Sequence, residues 1–314
     1  MRVPITPHEQ VARKVILVRP VGFGYSKETA ATNGFQQEFS APNVQEKVGQ
    51  EFDELLQALV RCGIGILLLD PKDKSAPDAV FPNNWFSTDE EGRIVLYPMA
   101  ATSRRTERDP RLGEALHTFG FANTGTFDLS QWEEHGLALE GTGSMVLDRK
   151  THTAYAALSP RTSEQVLNVW CKEMKYEPIA FTATMDGTKG GQPIYHTNVL
   201  MSIGERFAVV CMEAIPDLNE RHQVAAELAK SGRELIQITL GQMHTFAGNI
   251  LQLRSEKGDF IFLSEQAHRS LQSDQIRQLG KHGDLVPVAI PTIETIGGGS
   301  VRCMLAENFL PLRS

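Results

Sequence analysis

The feature that most restricts how this chain can fold is an internal repeat. Pro82-Asn83-Asn84-Trp85-Phe86-Ser87 is followed by a turn at Glu91-Gly92 and by Arg93-Ile94-Val95-Leu96-Tyr97. Gly141-Thr142-Gly143-Ser144-Met145-Val146-Leu147 is followed by Thr153-Ala154-Tyr155-Ala156-Ala157-Leu158. His196-Thr197-Asn198-Val199-Leu200-Met201 precedes Phe207-Ala208-Val209-Val210-Cys211. Ala247-Gly248-Asn249-Ile250-Leu251 precedes Phe260-Ile261-Phe262-Leu263, and Gly297-Gly298-Gly299-Ser300-Val301-Arg302-Cys303-Met304 comes last. The starts recur every 50 to 60 residues or so, a period at which repeat architectures are expected. Each of the first four units reads as a β-hairpin, two apolar β-branched runs around a glycine or charged turn.

Helices and closing strands complete the units. Val44, Val48, Phe52, Leu55, Leu56 and Leu59 recur at helical spacing. Ser163 to Met174 places Val166, Leu167 and Trp170 on one face. Asp217 and Glu220 suggest a capping box, with Val224 and Leu228 following and Gly232 as the stop. Ser264 to Leu279 reads as one helix ending at Gly280. Strands are expected over 63–70, 179–184, 234–239 and 285–290. The pattern predicts an α/β fold of about five strand-strand-helix-strand (ββαβ) units in a ring, one domain over 1–314. A glycine or asparagine at every hairpin mouth points to backbone packed around a shared centre.

That centre is where chemistry is expected. Cys303 follows three glycines, whose backbone N–H groups can approach a substrate and stabilise developing charge. A nucleophilic thiol needs a basic or cationic neighbour. His196 stands at an equivalent mouth and can act as acid and base. Glu140, just before Gly141, can orient and charge-stabilise the imidazole. A lone cysteine or histidine carries little weight; three such residues at equivalent points of a repeat carry more. Cys211, inside an apolar strand, reads as core, and Cys62 and Cys171 have no comparable context. No CxxC and no zinc-spaced histidine pair occurs, so structural zinc is not expected.

Charge and hydropathy narrow the partners. The net charge of −7 argues against nucleic acid or an anionic membrane surface. No apolar run reaches the roughly 18 residues of a membrane span. The first ten residues lack a signal-peptide core. The expectation is a cytoplasmic protein with free thiols, acting on a small molecule, with a homo-oligomer left open.

Together, Phe81-Pro82-Asn83-Asn84-Trp85, Glu140-Gly141-Thr142-Gly143-Ser144, Tyr195-His196-Thr197-Asn198-Val199 and Gly297 to Cys303 resemble the amidinotransferase-like branch of the pentein superfamily, nearest to the citrulline-utilisation hydrolases. The resemblance runs from about Val15 to Phe309. It implies a five-bladed β/α-propeller, a Cys303-His196-Glu140 triad and no cofactor. In related arginine deiminases, carboxylates grip the guanidinium; the matching positions here are the neutral Asn84 and Asn198. A buried guanidinium without carboxylates would be costly, whereas a ureido group offers donors and an acceptor that suit amides. This favours citrulline, cleaved through a covalent Cys303 intermediate to ornithine, ammonia and carbon dioxide. Arginine deiminase, dimethylarginine hydrolase or amidinotransferase activity remains the alternative, since Asp186 or Glu140 could serve a cation, and a non-catalytic binding factor of the same fold is the reading from another class. Arg161, in Ser159-Pro160-Arg161-Thr162, resembles the arginine that anchors a substrate carboxylate, with Arg104 or Arg105 able to assist. Asn83 and Phe35 are further candidate substrate-binding residues, Phe35 with a core role as the competing reading. The stretch from Ala100 to Pro110 reads as a solvated helix lead-in, with a mobile substrate loop as the alternative.

Overall fold

A computed structural model describes residues 9–39 and 43–313. The expectation that the first ten residues carry no signal-peptide core lies, up to residue 8, outside the described residues. Fifteen strands form five sheets of three among the described residues. One sheet holds β3 (Phe86–Thr88), β4 (Arg93–Leu96) and β5 (Gly125–Asp128). The next holds β6 (Val146–Asp148), β7 (Thr153–Ala157) and β8 (Glu177–Phe181). Then come β9 (Met201–Ile203), β10 (Phe207–Val210) and β11 (Glu234–Gln237), followed by β12 (Leu251–Ser255), β13 (Gly258–Ser264) and β14 (Asp284–Val288). In each, the first two strands are an antiparallel hairpin and the third returns parallel to the second. The parallel return needs a crossover, and the helices supply it.

The remaining sheet is assembled from both ends of the chain. β1 (Lys14–Val18) pairs parallel with β2 (Gly65–Leu69) and antiparallel with β15 (Ala306–Glu307). The final repeat therefore lends its first strand to the opening one. Neighbouring sheets meet along their first strands, β6 beside β9 and β15 beside β3. Five such units are what the sequence repeat predicted.

The helices follow the apolar spacing with three differences. Val44–Arg61 buries Val48, Phe52, Leu55, Ala58 and Leu59. Glu164–Met174 buries Val166, Leu167, Trp170, Cys171 and Met174, and the Trp170 indole N–H donates to the Tyr97 hydroxyl at 3.0 Å, so its burial leaves no polar atom stranded. Each buried Val, Leu, Phe or Met among these contributes roughly 1.5–3 kcal/mol. Asp217 caps Leu218–Lys230, but Glu220 does not reach back; its carboxylate accepts from the Thr182 N–H at 2.8 Å, tying the helix to the preceding loop. The helix expected over 264–279 is two, Glu265–Ser270 and Ser273–Gly280. Leu271 is extended, and Gln272 with Gln275 forms a new capping box that restarts the helix.

The third difference lies at the hairpin mouths. Pro82–Asn84, Gly141–Ser144, Thr197–Leu200 and Val301–Met304 are single helical turns, where strand was expected. They touch one another, so the mouths share a centre as the repeat implied. Among the described residues no helix is long and apolar enough to cross a membrane.

Candidate active site

The touching turns wall a tight cavity. Cys303, His196, Asn84, Arg104, Arg161, Asp78, Tyr195 and the three glycines line it. Cys303 is buried at the third position of its turn, its N–H donating to the Ser300 carbonyl at 2.9 Å. The glycines before it are sterically required. Gly298 has φ +62°, and a Cβ on Gly297 or Gly299 would lie 2.8 or 2.9 Å from the Phe81 ring.

Two amides surround the sulfur. Asn249 Nδ2 lies 3.3 Å from Cys303 Sγ and also donates to the Asn198 carbonyl oxygen at 2.9 Å. Asn198 Nδ2 lies 3.7 Å from the sulfur. Burial raises the Cys303 thiol above its ordinary range, partly offset by the Ser300 backbone, Asn249, Arg302 and Asn198. The thiol is therefore protonated in the empty site at neutral pH. Burial also raises Cys62, Cys171 and Cys211, and all four cysteines are free.

His196 Nε2 is 2.7 Å from Glu140 Oε2. Glu140 is fully buried behind it, and its other oxygen accepts from the Ala100 N–H at 3.0 Å. Burial works to raise the Glu140 carboxyl, but Arg161 at 3.6 Å, His196 and Arg104 at 3.9 Å hold it down to about 2. An ionised carboxylate only accepts, so Nε2 carries the proton and Nδ1 is left as acceptor. Burial pushes His196 down to about 4, against the pull of Glu140. It is a neutral base at pH 7. Nδ1 lies toward Gly143, where a Cβ would come within 2.8 Å of it and 2.5 Å of Asn84 Nδ2.

The remaining candidates divide. Asn84 lines the cavity, its Oδ1 accepting from Arg104 at 2.7 Å and its Nδ2 donating to Asn83 Oδ1 at 3.1 Å. Asn83 sits behind it, bonded to Thr142. Arg161 is buried in the wall and donates to the Thr29 carbonyl and Thr32 hydroxyl, with its guanidinium 5.0 Å from the Tyr195 ring centre. Phe35 does not line the cavity; it packs on Phe246, His244 and Tyr195, behind the wall. Asp186 is exposed and closes a turn with Thr188.

Residues 100–110 were misjudged as solvated. Thr102–Glu107 is a 3-10 helix that buries Arg104 and Glu107. Arg104 forks onto Glu107 with two contacts of 2.9 Å and still reaches Asn84. Burial opposes its charge, but Glu107 and Asp78 hold its pKa well above the ordinary value. Burial pushes Glu107 up to about 7, against the pull of Arg104. Arg105 instead turns to Glu133 at 3.3 Å. Asp78 was missed altogether. It is buried in the cavity wall, accepts from the Thr29 hydroxyl at 3.0 Å, and is raised by burial against Arg104 and Arg161. No repeat places it. Asn249 was also missed, although it stands at a hairpin mouth.

Residues 19–310 match the family model for eukaryotic N,N dimethylarginine dimethylhydrolase. The chain belongs to this family. It is thus an enzyme of the guanidino-modifying pentein superfamily. Solved structures agree on the fold. ArgZ, an arginine dihydrolase of cyanobacteria, shares 17% identity over 95% of this chain with a TM-score of 0.73, although the chain spans only 41% of that protein. Its N-terminal domain, solved bound to substrate, gives 16% identity, 94% and 97% coverage of the two chains, and a TM-score of 0.72. A dimethylarginine dimethylaminohydrolase solved as an adduct with S-methyl-L-thiocitrulline gives 15% identity, 95% and 100% coverage, and a TM-score of 0.66. No curated protein matches the chain significantly.

Proposed function

We propose that this enzyme is a cysteine hydrolase of the terminal ureido carbon–nitrogen bond of a free amino acid, with citrulline as substrate. One observation carries the reading: the Asn84 amide in the cavity wall is already bonded to the Arg104 guanidinium at 2.7 Å. A second guanidinium docked against Asn84 would meet the Arg104 cation there, and the carboxylates around it, Glu107, Glu140 and Asp78, are already engaged with Arg104. A neutral ureido group avoids the repulsion, and amides near Cys303 can donate to its oxygen.

The chemistry follows from the protonation states. His196 Nδ1 takes the Cys303 proton, and the thiolate attacks the ureido carbon. The backbone N–H groups and amide donors around Cys303 stabilise the tetrahedral adduct. The imidazolium, stabilised by Glu140, gives its proton to the departing nitrogen, and a thiocarbamate remains on Cys303. Water activated by His196 then releases the thiol and a carbamate. Citrulline and water give ornithine, ammonia and carbon dioxide. Arg161 is the proposed anchor for the substrate carboxylate.

A second reading has its own support. Asp78 puts a carboxylate in the same wall, and the family and the solved relatives are named for arginine and dimethylarginine. On that reading Asp78 grips a guanidinium, and attack on its carbon releases ammonia or an alkylamine. Incubation with L-citrulline, L-arginine and dimethylarginine separately, with products identified, decides. Ornithine from citrulline, with the others inert, supports the first reading. Citrulline or ornithine from arginine, with citrulline itself untouched, overturns it. Transfer to glycine in preference to water would indicate an amidinotransferase.

A further inference from the structure

Where the hairpin mouths run on into β6, β9 and β12, their first residues line a second, small cavity. It does not contain Cys303 or His196, but Arg302, the residue before the nucleophile, is part of its wall. Gln10 closes one side, donating to the Leu147 and Ile203 carbonyls and accepting from the Arg149 N–H at 2.8 Å.

Two polar groups of this cavity are incompletely matched by the protein. Arg149 is buried, its guanidinium lying 4.0 Å from the Phe309 ring centre and hydrogen-bonded to the Tyr176 side chain, and among the described residues it forms no ion pair. A buried cation without an anion is unfavourable. Ser202 is 7% exposed, and among the described residues its hydroxyl has no hydrogen-bond partner. A buried polar group left unmatched also calls for a partner. Arg302 is balanced by Glu307 at 2.9 Å, so Arg149 leaves the lining with one net positive charge.

We propose that this cavity is a second ligand site, taking a small carboxylate monoanion held by the Arg149 guanidinium and the Ser202 hydroxyl. Fork-shaped recognition of a carboxylate by arginine suits the charge, and the hydroxyl supplies one more donor. The site is separate from the Cys303 cavity and backs onto the turn that carries the thiol.

Acetate is the probe, compared with chloride at equal ionic strength. Thermal melts of wild-type enzyme should rise with acetate concentration in a saturable way, and Cys303→Ala should show the same rise. Arg149→Met, which keeps a long apolar stem against Phe309, should abolish it. Ser202→Ala should weaken acetate by about tenfold, the loss of one charge-assisted contact. No rise beyond that of chloride, or a rise that survives Arg149→Met, overturns the proposal. If Arg149→Met does not fold, an unchanged acetate affinity in Ser202→Ala overturns it.

Discussion

At the scale of the residue, the empty site holds its proton in a particular place. The Cys303 thiol is raised by burial and the His196 imidazole is neutral, so no preformed thiolate–imidazolium pair waits for substrate. Alkylation of Cys303 by iodoacetamide, located by mass spectrometry, should therefore be slow at pH 7. Its rate should still be climbing at pH 9. A plateau below pH 8 would mean that the resting thiol is ionised. Replacing Cys303 by Ala removes one buried sulfur and should abolish turnover while changing stability by only about 1 kcal/mol. A variant with the wild-type melt and residual product formation would remove Cys303 from the reaction.

Buried groups also make stability depend on pH, Glu140 and His196 in one direction and Glu107 and Glu294 in the other. Glu140, lowered from 4.5 to about 2, contributes stability that is lost as pH falls between those values. His196, lowered from 6.5 to about 4, makes the unfolded chain bind the extra proton, so stability again falls on acidification through that window. Glu107 and Glu294, each raised from 4.5 to about 7, favour the folded state at low pH and cost stability as pH rises through 7. The activity profile isolates His196 from this mixture. With the site empty, kcat/KM should hold down to about pH 4 and then fall as the imidazole protonates. A fall centred near 6.5 would show that burial does not depress His196.

At the scale of the element, the hairpin mouths explain both what could be read and what could not. Period-two apolar runs gave the hairpins, and 3.6-residue spacing gave the helices, because these patterns follow from which face meets the core. The turns at the mouths have no periodic face. Gly141–Ser144 is held by approach between backbones and by the atoms it meets, which a single sequence does not display. Arg104 and Glu107 were hidden for a similar reason. Their charges suggested solvent, but each is buried by pairing with the other, and charge composition cannot show who pairs with whom. Cys303, His196 and Glu140 could be proposed from the sequence because the repeat itself marks their positions.

The Gly141–Ser144 turn yields a direct test. A methyl on Gly143 would press on Asn84 Nδ2 and His196 Nδ1, both side-chain atoms of the proposed machinery. Gly143→Ala should fold, since the clash can be relieved by moving those two side chains. It should lose at least about tenfold in kcat through their displacement. Wild-type kcat would show that His196 tolerates a shift here, and that its position beside Gly143 is not critical.

At the scale of the whole molecule, the nucleophile is fixed by how the two ends of the chain meet. Cys303 lies three residues before β15, and β15 is held by β1 through Val15 opposite Glu307 and Ile16 opposite Ala306. Further contacts lock the same segment. The Asn308 N–H donates to the Lys14 carbonyl at 2.9 Å, the Phe309 N–H to the Thr88 hydroxyl at 2.9 Å, and Arg302 pairs with Glu307. The thiol thus depends on strand pairing between residues about 290 positions apart, a contact formed only once the intervening repeats are in place. Removing residues 306–314 should lower the melting temperature and abolish activity together, because β1 loses its partner and the Cys303 turn loses its tether. The cause can be separated from mere shortening. Adding a peptide of residues 300–314 to a chain ending at residue 299 should restore both the melt and turnover if β15 pairing is what seats the thiol. Recovery of the melt without turnover would mean that the strand rebuilds the sheet while covalent continuity sets the position of Cys303.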